Sequence, residues 1–353
     1  MLQQKLYWFL CFFSLLGFGQ EKMILSGVAS DTNTNETLIG VSVYIAELNT
    51  GTYTNEYGFY SISLPKGTYT VQISYIGFET ITEKIEINQN TKKNFGLIES
   101  KLELNEVVIT KNIYRNNIKK PEMSVNKLSI NTIKQMPAIL GETDVIKSIL
   151  TLPGVTNAGE GQSGFNVRGG SADQNLVLLD EATIYNTSHL FGFFSVFNTD
   201  AIKDLKLYKG GIPSRFGGRV ASVLEIYQKD GNSTDFHMSG GIGIISSRLL
   251  AEGPIVKDKG SFLFAGRSSY AHLFLKLTDN KNSAYFYDLN TKLSYKLNEN
   301  NNLYASGYFG RDVFSLNQSF VNTYGNSVFN LRWNHLFSNK LFSDYPNAEK
   351  LQG

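Results

Sequence analysis

The sequence predicts a mainly β protein in three folded parts: a small β-sandwich, a mixed α+β domain, and antiparallel strands suited to crossing a membrane. Three observations predict it. Period-2 alternation broken by evenly spaced turn residues fills residues 41–87. Short apolar runs at 176–179, 205–208 and 220–226 alternate with the glycine pairs Gly169 and Gly170, Gly210 and Gly211, and Gly217 and Gly218. A longer period-2 pattern, apolar on one side and polar on the other, runs through 285–297. Composition agrees. Of 353 residues 18% are charged and 13% aromatic, with 19 Tyr and 24 Phe. The charged share falls below the usual value of about 25%. Low charge with many tyrosines fits a membrane barrel with aromatic girdles better than a soluble enzyme. The net charge of +2 gives no footing for nucleic acid as a partner.

Residues 1–19 read as a cleaved secretory signal. Lys5 precedes an apolar run over 6–18, and Gly17 and Gly19 are small residues where a signal peptidase needs them. The run is shorter than the ~20 residues of a membrane-spanning helix. Cys11, the single cysteine, lies in this leader, so the mature chain is expected to have no thiol, disulfide or cysteine metal ligand. Trp8, Phe9 and Leu10 put no small residue before Cys11, which argues against a lipid anchor.

Residues 20–98 are predicted to form the β-sandwich. Val41, Val43 and Ile45 alternate with polar or small neighbours, as do Tyr69, Val71, Ile73 and Tyr75, and Ile81, Ile85 and Ile87 close the set. Turn signals fall at 49–51, 56–58, 65–67 and 76–78. The pieces SGV at 26–28, LIGVSV at 38–43, TNEYGFY at 54–60 and GTYTV at 67–71 resemble the carboxypeptidase regulatory-like domain. No enzyme follows from that name. A zinc peptidase needs three ligands and a general base, and this part of the chain has no histidine. The four histidines, His189, His237, His272 and His335, are far apart and lack metal-type spacing. No metal, cofactor or catalytic residue is therefore expected, and the sandwich is read as an accessory binding or gating module.

Residues 99–121 are rich in Lys, Glu and Asn without apolar periodicity and read as an exposed linker. Within it Glu106, Val107, Val108, Ile109 and Thr110 form a run that extends easily. It could also be the last strand of the sandwich.

Residues 122–231 are predicted to be α+β. A short strand is expected at 127–130 and helices at 131–136 and 142–150. In the second helix Val145, Ile146, Ile149 and Leu150 share one face; Thr143 or Gly141 can start it and Pro153 stops it. Five motifs follow in order: LPGV at 152–155, FNVRGG at 165–170, LLD at 178–180, YKGG at 208–211 and RFGGR at 215–219. Together they resemble the plug domain of TonB-dependent outer-membrane receptors. The resemblance implies that this domain sits inside a barrel and blocks it. It implies that residues 106–110 are the TonB box, through which TonB's periplasmic domain would pair by strand addition. It further implies that the Arg168 guanidinium grips barrel-wall carboxylates or plug carbonyls through its planar fork. Asp180, Arg215 and Arg219 take similar structural roles, with Gly169, Gly170, Gly210, Gly211, Gly217 and Gly218 as turns. Asp173, Tyr185, His189 and Phe191 lie in segments that could reach the plug apex, where the family's ligand sits.

Residues 232–353 are predicted to be barrel wall. Tyr285, Tyr287, Leu289, Thr291, Leu293, Tyr295 and Leu297 face one way, against Phe286, Asp288, Asn290, Lys292, Ser294 and Lys296. A turn is expected at 298–302, then alternation through 303–309 and 329–334. Earlier strands are expected at 240–252 and 261–274, and the alternation is lost over 343–353. That is room for about six strands, against the roughly 22-stranded barrels of plugged transporters. Open strand edges in hydrocarbon cost several kcal/mol per unpaired group. The expectation is a C-terminally truncated product: a sandwich, a plug and the first strands of an incomplete antiparallel transmembrane β-barrel.

The function expected is energised uptake of a scarce solute (siderophore, cobalamin, glycan or peptide) across the outer membrane of a Gram-negative bacterium. Its partners would be TonB, outer-membrane lipid, the barrel-assembly machinery and the imported ligand. The alternative is a surface-binding or structural β-protein without transport.

Overall fold

A computed structural model describes residues 22–100, 124–138, 142–159, 164–270, 272–273, 282–317, 320–338 and 341–351. The leader at 1–19 and the TonB-box candidates 106–110 lie outside them.

The first unit is a sandwich of two four-stranded sheets. One holds β1 (Lys22–Asp31), β4 (Phe59–Pro65), β7 (Thr91–Lys92) and β8 (Phe95–Leu97); β1 is antiparallel to β4 and parallel to β7. The other runs β3 (Thr50–Tyr53), β2 (Ser42–Ile45), β5 (Gly67–Ser74), β6 (Ile81–Ile87). The alternation seen in sequence is the pleat: Val43, Ile45, Val71, Ile73 and Ile87 point inward and are fully buried with Leu25, Leu64 and Leu97. Gly58 has φ +72, and a Cβ there would stand 2.8 Å from the Ala29 carbonyl oxygen, so only glycine makes that turn.

The second unit holds the α+β domain and a wall of long strands. The α+β domain is a five-stranded sheet in the order β13 (Ala182–Thr183), β12 (Asn175–Leu179), β17 (Ser222–Gln228), β16 (Ile202–Tyr208), β9 (Val125–Ser129). Only the β12–β17 pair is parallel. Two small hairpins accompany it: β10 (Val155–Asn157) with β11 (Phe165–Val167), and β14 (Ser188–His189) with β15 (Phe194–Ser195). The helices are shorter than the sequence suggested, α1 (Ile130–Lys134) and α2 (Val145–Ile149). Gly141 lies outside the described residues, and Thr143 does not cap α2. Asp144 does, its carboxylate accepting from Lys147 N at 3.0 Å and from Ser195 N at 2.7 Å. The helix also ends before Pro153, at Leu150. Ile133, Val145, Ile149, Leu205, Leu207 and Leu224 form the domain's core.

The wall is one antiparallel sheet in chain order: β18 (His237–Ile242), β19 (Ser246–Val256), β20 (Gly260–Ser269), β21 (Ser283–Asn298), β22 (Asn301–Leu316), β23 (Phe320–Leu336) and β24 (Phe342–Leu351). These seven strands correct the expectation of about six in two places. Residues 240–252 are a hairpin, not one strand, because the chain reverses at 243–245. The tail, whose side chains lose alternation, still pairs its backbone with β23 from Phe342 to Leu351. The strand expected at 261–274 stops at Ser269. Among the described residues no helix is long and apolar enough to cross a membrane, which leaves strand crossing untouched.

The wall is inside out relative to a soluble sheet. On β21 Leu289 is 45% and Leu293 44% exposed, while Asp288, Asn290 and Lys292 are 4%, 2% and 2% exposed. On β23 Phe329, Leu331 and Trp333 are exposed and Asn330, Arg332 and Asn334 buried. The polar face is covered by the α+β domain, and the apolar face is bare.

Candidate functional site

The contact between the α+β domain and the polar face of the wall is the chemically richest place in the molecule. Its centre is Arg267 on β20. Register sets Arg267 directly opposite Asp288 on β21. Its Nε and Nη2 both donate to Asp288 Oδ2, at 2.9 and 2.5 Å. Nη1 reaches Glu142 Oε2 at 3.2 Å and Nη2 the Ser195 carbonyl at 2.9 Å. Glu142, which lies just ahead of α2, also accepts from Ser246 Oγ at 2.7 Å. One guanidinium thus joins two wall strands to two segments of the α+β domain, the use for which a planar fork suits arginine.

His189, at the end of β14, extends this network. Its Nδ1 is 2.7 Å from Asp312 Oδ2, and its Nε2 is 3.1 Å from Asp288 Oδ2 and 3.2 Å from Tyr308 Oη. The ring stacks on Phe286 with centroids 4.2 Å apart. Burial pulls the imidazole pKa down, but hydrogen bonds to Asp288 and Asp312 outweigh it, and the net shift is upward. The two carboxylates address opposite ring nitrogens, so the three groups do not converge on one metal ion. Among the described residues no metal-binding cluster of His, Cys, Asp or Glu occurs.

A second ionic contact centres on Lys292, on the same wall strand as Asp288. Lys292 Nζ is 3.0 Å from Asp180 Oδ2 and 2.9 Å from Asp230 Oδ1, and donates to the Gln228 carbonyl at 2.9 Å. Burial raises the Asp230 carboxyl, but Lys203 and Lys292 reverse this and hold it well below the carboxylate range. Asp180 Oδ1 accepts from Gln228 N at 2.9 Å, and Asn330 on the wall donates to the Asp180 carbonyl.

The residues singled out in the sequence divide into three groups. Asp180 sits in the contact, 1% exposed. His189 does too, which corrects its reading as an apex group: it is 1% exposed and faces the wall. Among the described residues no wall carboxylate or plug carbonyl meets the Arg168 guanidinium. Arg168 is exposed at φ +51, donates to Ser124 Oγ at 2.9 Å, and its backbone N–H donates to the Gly154 carbonyl at 2.9 Å. Lys209 Nζ donates to the Pro153 carbonyl at 2.7 Å, so three of the sequence motifs are knit together within the α+β domain. Gly169 has φ +83, and Gly170 would place a Cβ 2.6 Å from Ala221 Cβ. Gly211 and Gly218 also have positive φ, whereas Gly210 and Gly217 do not. Arg215 lies over the Phe216 ring at 4.6 Å and 3.5 Å from Glu225; Arg219 donates to the Gly218 carbonyl. Asp173, Tyr185 and Phe191 are exposed, and Phe191 meets Phe314 edge-on with centroids 5.1 Å apart.

Sequence reasoning missed Glu142, Arg267, Tyr308 and Asp312. The signal was present in part: a charged residue on the polar side of a period-2 wall strand must face either water or a partner. Asp288 and Lys292 showed that signal, but their α+β-domain partners His189 and Asp180 lie about a hundred residues away in the chain.

Comparison with known proteins places these features. Residues 25–109 match the CarboxypepD_reg-like domain, and residues 119–223 match the TonB-dependent Receptor Plug Domain. No curated protein matches. The siderophore receptor PirA from Pseudomonas aeruginosa is similar at 15% identity and TM-score 0.48, covering 65% of this chain and 40% of that one. PirA from Acinetobacter baumannii is similar at 15% identity and TM-score 0.46, covering 61% and 38%. The alcaligin receptor FauA from Bordetella pertussis is similar at 13% identity and TM-score 0.47, covering 65% and 39%. The chain spans about two fifths of the length of these structures. The chain thus carries a CarboxypepD_reg-like domain followed in sequence by a domain of the TonB-dependent Receptor Plug family, the latter seated on wall strands.

Proposed function

We propose that the protein works in TonB-driven uptake of a scarce solute across the outer membrane of a Gram-negative bacterium. The solute is of the siderophore, cobalamin, glycan or peptide class. Residues 20–98 act as an accessory module, 99–121 as a linker carrying the TonB box at Glu106 to Thr110, and 122–231 as the plug. TonB's periplasmic domain pairs with the extended box and transmits force to the plug, and no covalent chemistry is involved. One observation carries the reading: a sheet whose apolar face is bare and whose charged face is buried under a plug. That polarity suits lipid outside and a polar stopper inside.

Binding to TonB's periplasmic domain tests it. The expected result is capture of the full chain and loss of capture with Val108→Pro, since proline removes a backbone donor from the paired strand. Capture unchanged by Val108→Pro removes the box assignment. Absence of capture altogether favours a non-transporting surface protein.

A further inference from the structure

The segment after His189 is strained. Leu190, Phe191 and Gly192 have φ of +47, +55 and +97, so consecutive residues stand in the left-handed region and two of them carry a Cβ. Such residues persist only where the surroundings hold them. Here the holder is identifiable. Asp312 on β22 accepts from Leu190 N through Oδ1 at 2.8 Å and from His189 Nδ1 through Oδ2 at 2.7 Å. A single wall carboxylate therefore fixes both the strained peptide and the imidazole before it.

The groups facing this imidazole from each packed strand are Arg267 on β20, Asp288 on β21, and Tyr308 and Asp312 on β22. Glu142 joins through Arg267. The cluster holds three carboxylates, Asp288 and Glu142 on the Arg267 guanidinium and Asp312 on the imidazole, and balances best with a second positive charge. Both ring nitrogens face a carboxylate oxygen. A neutral imidazole has one N–H; with it on Nδ1 for Asp312, the Nε2 lone pair can accept from the Tyr308 hydroxyl but still faces the Asp288 oxygen at 3.1 Å. An imidazolium satisfies both carboxylates.

We propose that His189 is a proton-dependent catch, which in its protonated form holds the strained segment at residues 190–192 against the wall and on losing its proton lets that segment relax. The upward shift of the imidazole agrees with this direction. The hold is complete below the ordinary imidazole value of about 6.5 and is lost as pH rises through the raised value. The same segment forms one side of a cavity of about 360 Å³ in the plug, opposite Ile146, Lys147 and Leu150 of α2 and its C-cap. Release therefore reshapes that cavity as well as the wall contact. None of this depends on the reading of uptake or on TonB.

The test uses the full chain in detergent. Histidine ring signals are followed by NMR against pH, with His189 assigned by its loss in His189→Gln. Amide hydrogen exchange of residues 186–196 is measured over the same range and corrected for the intrinsic rate. The expected result is a His189 midpoint above about 6.5 and a fall in protection of at least about tenfold with the same midpoint. In His189→Gln the corrected protection should not vary with pH. In Asp312→Asn, which keeps an acceptor for Leu190 N, the midpoint should move down. The proposal is overturned by an imidazole that stays neutral or titrates at or below the ordinary value. It is equally overturned by protection that ignores pH or follows a different midpoint, or by the same pH dependence in a folded His189→Gln. The two wild-type midpoints decide the matter even if the variant fails to fold.

Discussion

Replacing Arg267 by methionine tests whether the buried ionic network seats the plug. The guanidinium is 5% exposed and contacts Asp288 at 2.5–2.9 Å and Glu142 at 3.2 Å. At an effective dielectric of about 20, two unit charges about 3.2 Å apart attract by about 5 kcal/mol. The desolvation of three buried charges offsets much of that. Arg267→Met removes the attraction and leaves both carboxylates desolvated, so the expected net loss is about 3–5 kcal/mol. That corresponds to roughly a 10²- to 4 × 10³-fold rise in the population with the plug unseated. Pulse proteolysis of the chain in detergent across a urea series reads that population. The triple variant Arg267→Met with Glu142→Gln and Asp288→Asn removes the orphaned charges and should recover most of the loss. A single variant that costs below about 1 kcal/mol, or a triple variant less stable than the single one, would refute the argument that charge pairing holds the contact.

Three further outcomes follow from the plug itself. Burial pushes the Asp204 carboxyl up to about 6, against partial relief from the Leu205 N–H and nearby lysines. Its folded pKa lies above its unfolded one, so the penalty is absent below the unfolded value of about 3.8, builds as pH rises from there, and is complete above about 6. Asp204→Asn, which keeps an acceptor for Leu205 N, should stabilise the plug by about 2–3 kcal/mol at pH 8 and by less than about 1 kcal/mol at pH 4, as read in urea titrations at both values. Gly170→Ala should cost about 1–3 kcal/mol, because the new methyl would meet Ala221 Cβ at 2.6 Å, and thermal unfolding would show it. Asp144→Ala should cost about 1–2 kcal/mol and speed hydrogen exchange at both Lys147 and Ser195, whose N–H groups share that carboxylate.

The strands of this fold were legible because a pleat writes itself into alternate residues. Val41, Val43 and Ile45 gave one face of the sandwich, and Tyr287 through Leu297 gave one face of the wall. What failed was local and has local causes. The helix at 145–149 starts from Asp144 because that carboxylate also binds Ser195 N, a partner 51 residues away that no capping rule can see. The strand expected at 240–252 contains a reversal whose flanking residues are as extended as a continuous strand. The backbone of the tail pairs in register with β23 without needing alternating side chains. The resemblance sends the Arg168 guanidinium to wall carboxylates or plug carbonyls. The residue's left-handed backbone turns it instead toward Ser124 and the Gly210 turn. Of the contact itself, half was legible. Asp180, Asp288 and Lys292 stood out as charges in apolar or alternating runs, whereas their pairing is a property of the closed chain.

The kind of contact matters more than its extent. Ile133, Val145, Leu205 and Leu224 give the plug an apolar core, which Tyr308 and Val328 of the wall also join. Between plug and wall the dominant groups are Arg267, Asp288, His189, Asp312, Lys292 and Asp180. Buried ion pairs roughly break even against apolar packing of the same shape, yet a misplaced partner leaves a charge stranded. Such a contact specifies one seating strongly while adding little net stability to it. Water can also replace each of these bonds once the plug begins to shift, as it cannot for apolar surface. A stopper displaced under force, as proposed for TonB, requires that combination: a unique position at rest and a low penalty for leaving it into a wet channel. An apolar plug–wall contact of equal area would hold more tightly and would expose aggregation-prone surface each time it opened.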